Sequence, residues 1–233
     1  MSHPGFFITG TDTGVGKTWI TLGFMAAYQQ QDYRTNGMKP VAAGCQRIQG
    51  QLIHADALQI QQQADGNPEY ETVNPFAFEP PIAPHIAAEA VGCEIDFGCI
   101  QQAHLRLQGQ AQCTLVEGVG GWRVPLGPGR DVAALVHCLQ LPVVLVVGLR
   151  LGCLNHALLT AEAIQQQHVL LGWVGCGVVA DFAHAAANLK TLQAQIQAPC
   201  LGVVPYANTC DPEQIATHLT LPIHAKTGLA SSA

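Results

Sequence analysis

An apolar run, Phe6-Phe7-Ile8, leads into Thr9-Gly10-Thr11-Asp12-Thr13-Gly14-Val15-Gly16-Lys17-Thr18, and apolar residues at helical spacing follow directly. Strand, glycine- and threonine-rich turn and helix in that order make a phosphate-binding loop. The free N–H groups of the turn and of the helix start converge on an anion, and the helix dipole favours negative charge there. In such a loop Lys17 reaches the outer phosphates and the Thr18 hydroxyl ligates Mg²⁺. The match to G-x-x-x-x-G-K-[ST] is imperfect, because Thr11 holds the first glycine position and Gly10 lies one residue earlier. The competing reading is a turn that merely joins a strand to a helix. A strand before and a helix after are the context the motif requires, and they favour nucleotide binding.

The rest of the composition narrows the class. A chain of 233 residues can bury one sizeable core, and we expect a single domain over residues 6–220 with a C-terminal tail at 221–233. Only 11% of the residues are charged, against about a quarter in an average globular protein, which hints at large apolar contacts with another subunit. The net charge of −6 comes with only 10 Lys and Arg and no basic stripe, so no nucleic-acid partner is expected. The start of the chain lacks the charged and apolar regions of a signal peptide, and no apolar run is long enough to span a bilayer. A cytoplasmic protein without a membrane partner is the expectation. Nine cysteines without C-x-x-C spacing read as reduced thiols, and ten histidines without paired ligand spacing read as surface or filler residues, so no zinc is expected.

Hydrophobic patterning gives alternating strands and helices. Trp19 to Gln30 is helical, and Met38-Lys39-Pro40-Val41 ends a second strand. A short helix starts at Ala55-Asp56, and the Pro-rich stretch 64–84 reads as a long surface connection. Helices are expected to start at Pro84 and at Asp96, the latter as N-cap of a helix to Leu107. Further strands are expected at Cys113–Glu117, Pro142–Gly148, Leu170–Val179 and Cys200–Val204, with helices at Asp131–Leu139, His156–Gln167, Ala183–Ile196 and Pro212–Leu219. Uninterrupted β-branched strands between helices indicate an α/β fold: a doubly wound, mostly parallel sheet with helices on both faces, like that of P-loop nucleotide hydrolases.

In such sheets ligands bind beyond the C-terminal ends of the strands. The loop at 10–18, Lys39, Glu117 and Pro205-Tyr206 all fall at such ends. Glu117, between an apolar run and Gly118-Val119-Gly120-Gly121, suits a second Mg²⁺ contact, since that ion takes one or two carboxylates with phosphate and water. Asp56 is a further candidate, although an acidic residue in a first helical turn needs no functional reason. Lys39 in isolation is a solvated strand-end lysine. Beside a triphosphate its ammonium can neutralise charge on the transferring phosphoryl group.

Together, Gly10 to Thr18, Lys39-Pro40-Val41-Ala42, Ala55-Asp56-Ala57-Leu58, Val73-Asn74-Pro75, Pro84-His85, Val116 to Trp122 and Leu151-Gly152-Cys153-Leu154-Asn155-His156-Ala157 resemble dethiobiotin synthetase, in order and at family spacing. The resemblance implies a homodimeric, cytoplasmic ligase of biotin synthesis that uses ATP and Mg²⁺. Its substrates would be 7,8-diaminononanoate and CO₂ or bicarbonate, joined as a carbamate, phosphorylated to a carbamic-phosphoric anhydride and closed to a cyclic urea. By position, Thr18, Asp56 and Glu117 would hold Mg²⁺, while Lys17 and Lys39 would act on the γ-phosphate and carbamate with help from Thr13. Gly14, Val15, Gly16, Lys17, Thr18 and Trp19 would bind nucleotide. Val119, with Gly118, Gly120 and Gly121, would flank nucleotide and diamine. Ala43 would lie against substrate, and Leu151 to Asn155 would reach the substrate's carboxylate from the other subunit. Cys176, Gly177, Pro205, Tyr206, Ala207 and Glu213 would surround base and ribose.

Three positions depart from the family pattern. Ala43 stands where serine is usual, Gly14 where glutamate is common, and Cys176-Gly177 where an adenine-reading Asn-Asp is usual. Cysteine lacks the paired donor and acceptor of an amide, so a relaxed choice among ATP, CTP and GTP is expected. Two other readings remain at this point. A partitioning-type ATPase switch would carry a second lysine in the loop, where Thr13 stands. A fold-retaining homologue without the activity would fit Ala43 and Cys176 but not the intact phosphate and metal positions.

Overall fold

A computed structural model describes residues 5–222. The chain begins with β1 (Gly5–Gly10), α1 (Lys17–Gln29), β2 (Thr35–Met38), β3 (Val41–Ala43), a hairpin of β4 (Gln46–Ile48) and β5 (Gln51–Ile53), and α2 (Ala55–Gln63). It continues with α3 (Tyr70–Val73), β6 (Phe76–Phe78), α4 (Pro84–Ala90), α5 (Phe97–Gln110) and β7 (Cys113–Glu117). After a small hairpin of β8 (Pro125–Gly127) and β9 (Arg130–Asp131) come α6 (Val132–Leu139), β10 (Val143–Leu149), α7 (Cys153–Gln165), β11 (Leu170–Gly177), α8 (Ala185–Gln195), β12 (Cys200–Val204) and α9 (Pro212–Ala216).

The main sheet has six strands in the order β12-β11-β10-β1-β7-β2, and every neighbouring pair is parallel. Strands β1, β7 and β10 are buried along their whole length, which is why they read as continuous apolar runs rather than alternating ones. The chain steps from β1 to the edge strand β2, returns to β7, then crosses to β10 and beyond. Right-handed crossovers therefore place α1 on one face and α5 to α8 on the other. Helix α1 packs against α2 and α9, α5 against α6, and α7 against α8.

Since β1 lies between β7 and β10, its loop emerges where the strand order reverses, the usual ligand crevice of such sheets. The Thr11 amide donates to the Val146 carbonyl at 3.0 Å, and the Gly118 amide donates to the Ile8 carbonyl at 2.9 Å. Those bonds fix the rim on both sides of the loop.

The stretch 64–84 is more ordered than a surface connection. It contains α3 and β6, and β6 pairs in parallel with β3 to form a second small sheet. The second strand ends at Met38, one residue before Lys39, and β3 starts anew after Pro40. Helix α7 begins at Cys153, three residues before the expected His156, so Leu151–Asn155 straddles its start. The capping expectation at Asp96 agrees with the structure, as its carboxylate accepts from the Gly98 amide at 2.8 Å. From residue 223 on, the expected tail at 221–233 lies outside the described residues. Among the described residues no helix is long and apolar enough to cross a membrane.

Candidate active site

Gly16 adopts φ +89 and serves as N-cap of α1 without a side-chain hydrogen bond, leaving the first amides of the helix free for an anion. A Cβ at Gly16 would clash with Cys176 Sγ, so the loop rests directly on the end of β11. Val15 is buried beneath it against Gly10 and Gly148. The Asp12 carboxylate anchors the outer part of the loop: it accepts from the Thr13 amide at 2.7 Å and pairs with Arg150 at 2.6 Å. Lys17 Nζ donates to the Asp12 carbonyl at 2.9 Å. Burial and the neighbouring Lys39 ammonium push the Lys17 pKa down to about 8, against the pull of Glu117, Asp56 and Asp12.

Beside the loop, Lys39 is 4% exposed and sits between two carboxylates. It forms a close ion pair with Glu117 Oε1 and a second with Asp56 Oδ2 at 3.3 Å. Burial alone would lower its pKa, but the two carboxylates outweigh burial and raise it, so the ammonium stays charged. Asp56 is held below the usual carboxylate range: burial opposes this, and Lys39 and His54 overcome it. Thr18 Oγ1 donates to Glu117 Oε1 at 3.0 Å. Glu117 is 1% exposed, and its Oε2 has no hydrogen-bond partner among the described residues. An orphaned buried carboxylate oxygen beside a hydroxyl and a second carboxylate fits a hard, oxygen-preferring divalent cation.

These groups lie in a cavity of about 810 Å³. Of the residues singled out from sequence, Thr13, Gly14, Gly16, Lys17, Thr18, Trp19, Lys39, Ala43, Asp56, Glu117, Val119, Gly120, Cys176, Gly177, Tyr206 and Ala207 line it. Others do not line it. Gly118 packs on Phe7, and Gly121 packs on the loop backbone at Gly10 and Thr11. Pro205 approaches the Gly177 backbone from outside, and the Glu213 amide donates to the Asp211 cap of α9. Leu151 is 95% exposed and Asn155 is exposed too, and neither lines the cavity of its own chain.

His54, Ala42, Pro81, Ile82, Ala83, Pro84, Val124, Pro125 and Val178 also line the cavity, and sequence reasoning missed them as site residues. The apolar ones carry no chemical signature. For His54 the available signal was its place as N-cap two residues before Asp56, where Nδ1 accepts from the Asp56 amide at 3.2 Å.

A protein-family model described as an AAA domain matches residues 4–214. Over 225 residues the chain is 48% identical to the ATP-dependent dethiobiotin synthetase BioD of Cellvibrio japonicus, covering 95% of this chain and 97% of that one. The chain belongs to the dethiobiotin synthetase family. The enzyme of the same name from Pseudomonas aeruginosa is 46% identical, covering 94% of this chain and 96% of that one. Among solved structures, the MinC:MinD cell division protein complex of Aquifex aeolicus superposes with a TM-score of 0.53 at 11% identity, over 88% of this chain and 82% of that one. At that identity the likeness carries the fold alone. In this member of the family the charged cluster lies at the crevice where the strand order of the parallel sheet reverses.

Proposed function

We propose that this protein is an ATP-dependent ligase of biotin synthesis that closes 7,8-diaminononanoate and CO₂ into the cyclic urea of dethiobiotin, releasing ADP and phosphate. The observation that carries the reading is the Lys39 ammonium, buried between Asp56 and Glu117 in the same cavity as the loop lysine.

In this reading the loop amides and Lys17 bind the outer phosphates, and Val119 and Gly120 face the diamine. Thr18, Asp56 and Glu117 would hold Mg²⁺, which when bound neutralises charge on the phosphates. One amine of the substrate adds to CO₂ and gives up a proton to solvent, forming a carbamate. Thr13 and Lys39 hold that carbamate with an oxygen towards the γ-phosphorus. As the new P–O bond forms, the bond to the ADP oxygen breaks. The second amine then attacks the carbonyl carbon, phosphate leaves, and the amine proton passes to solvent. Carbamates are weak nucleophiles, so positioning and charge neutralisation supply most of the rate.

The wall beyond Lys39 suits an alkyl chain, being built of Ala42, Ala43, Pro81, Ile82, Val124 and Pro125. The base and ribose would lie against Cys176, Gly177, Val178, Tyr206 and Ala207. Exposed Leu151 and Asn155 suit a site completed by a second copy of the chain, which makes a homodimer part of the proposal. The protein would work in the cytoplasm, without nucleic acid or membrane. The test is whether phosphate release depends on the diamine and disappears in Lys39→Ala.

A further inference from the structure

Lys39 and Asp56 are joined twice, once by their own ion pair and once by a relay that runs the long way round. Asn74 Nδ2 donates to the Lys39 carbonyl at 2.7 Å. Asn74 Oδ1 accepts from the Tyr70 hydroxyl at 3.0 Å. That hydroxyl accepts the His54 amide at 2.8 Å, and His54 Nδ1 accepts the Asp56 amide at 3.2 Å. Asp56 Oδ2 then meets Lys39 Nζ at 3.3 Å, and the ring is closed. A parallel tie runs from the Lys39 amide to the Val73 carbonyl at 2.9 Å.

Tyr70 and Asn74 are buried, and neither lines the cavity. Their polar atoms are spent on this ring, with Asn74 Nδ2 also reaching the Phe76 carbonyl at 3.3 Å. Burial raises the Tyr70 pKa, so its hydroxyl keeps the proton it gives to Asn74. A buried polar chain with every member paired holds its members in one arrangement, and a gap in it leaves unsatisfied groups.

We infer that Tyr70, Asn74 and His54 are positioning residues: their hydrogen-bonded ring fixes Lys39 and Asp56 relative to each other, so that Asp56 meets the metal of a bound nucleotide while Lys39 stays free to face the acceptor. Stretch 64–84, which supplies Tyr70 and Asn74, is in this account the back wall of the charged cluster. The inference rests on the roles proposed above for Lys39 and Asp56.

Calorimetric titration with ADP, in EDTA and in excess Mg²⁺, tests it on the whole protein without turnover. In Tyr70→Phe, the tightening of ADP binding by Mg²⁺ is expected to fall about 3- to 10-fold, while ADP affinity in EDTA stays within twofold of wild type; losing a group bonded directly to a metal ligand commonly costs about 10- to 100-fold, and Tyr70 acts one bond further back through His54. A merely structural role would move both affinities or neither. His54→Asn keeps an acceptor for the Asp56 amide and is expected to retain the Mg²⁺ effect that His54→Ala loses. This pair decides the question if Tyr70→Phe does not fold. Unchanged Mg²⁺ coupling in Tyr70→Phe and His54→Ala, with Asp56→Asn losing it, overturns the positioning ring. Unchanged coupling in Asp56→Asn itself overturns the metal role on which the ring rests.

Discussion

Thr18 Oγ1 donates to Glu117 Oε1 at 3.0 Å, joining the phosphate loop to the end of a strand 99 residues further along the chain. The same carboxylate oxygen pairs with Lys39, so one buried group touches both the loop and the second cation. Glu117→Gln keeps the shape and removes the charge. Its kcat for diamine-dependent phosphate release is expected to fall about 10²- to 10³-fold, the range for losing one electrostatic contact to a transition state. Steady-state kinetics check this, with circular dichroism to confirm the fold, and a loss below threefold would contradict the assigned role.

Lys17 makes nucleotide binding depend on pH. Its folded-state pKa of about 8, depressed by burial and by Lys39, means that the free protein loses this charge as pH rises through 8. Phosphates need the ammonium, so nucleotide binding takes up a proton above pH 8 and weakens by about tenfold per unit beyond it. ADP titrations at pH 7, 8 and 9 in buffers of different ionisation enthalpy measure both effects. Equal affinity at all three pH values without proton uptake would refute the assignment.

In the proposed arrangement the base meets little that could read it at its end of the cavity. Cys176 is buried against Gly16, and a Cβ at Gly177 would stand 2.5 Å from the Tyr206 amide nitrogen, so backbone meets backbone there. None of the described residues lining that end carries a side-chain amide. Turnover with CTP and GTP is expected within about tenfold of ATP, because shape alone discriminates weakly where no polar group reads the base. Strict use of ATP in a nucleotide panel would rule this out.

Away from the site, His104 on α5 is buried and its Nε2 has no partner among the described residues. Desolvation lowers its pKa to about 4. The unfolded chain, with an ordinary histidine, binds more protons between pH 4 and 6.5, so stability is lost as pH falls through that window. At pH 5 the loss from this group is about 2 kcal/mol. Urea denaturation at pH 7 and pH 5 should show that gap narrowing in His104→Leu, and an unchanged gap would count against it.

Much of the fold was legible because parallel strands buried on both faces leave unmistakable apolar runs, as in Val143 to Val147. Lys39 and Glu117 stood out as charges closing such runs, and the loop by its spacing. The apolar cavity wall did not, because Ile82 or Val124 in sequence looks like any packing residue. Nor did the Tyr70–Asn74–His54 ring: Tyr70 and Asn74 flank the single turn of α3, but tertiary packing alone brings that turn to His54 and Lys39. The hairpin of β4 and β5 was missed for a related reason: Gln46–Ile48 is exposed and carries no apolar alternation.

The most direct test of the central claim is product analysis. The protein is incubated with 7,8-diaminononanoate, ¹³C-bicarbonate and Mg·ATP, and the mixture is read by mass spectrometry alongside phosphate release. A cyclic urea carrying the labelled carbon is expected, with one phosphate released per ring formed. No labelled urea, together with phosphate release indifferent to the diamine, would contradict it.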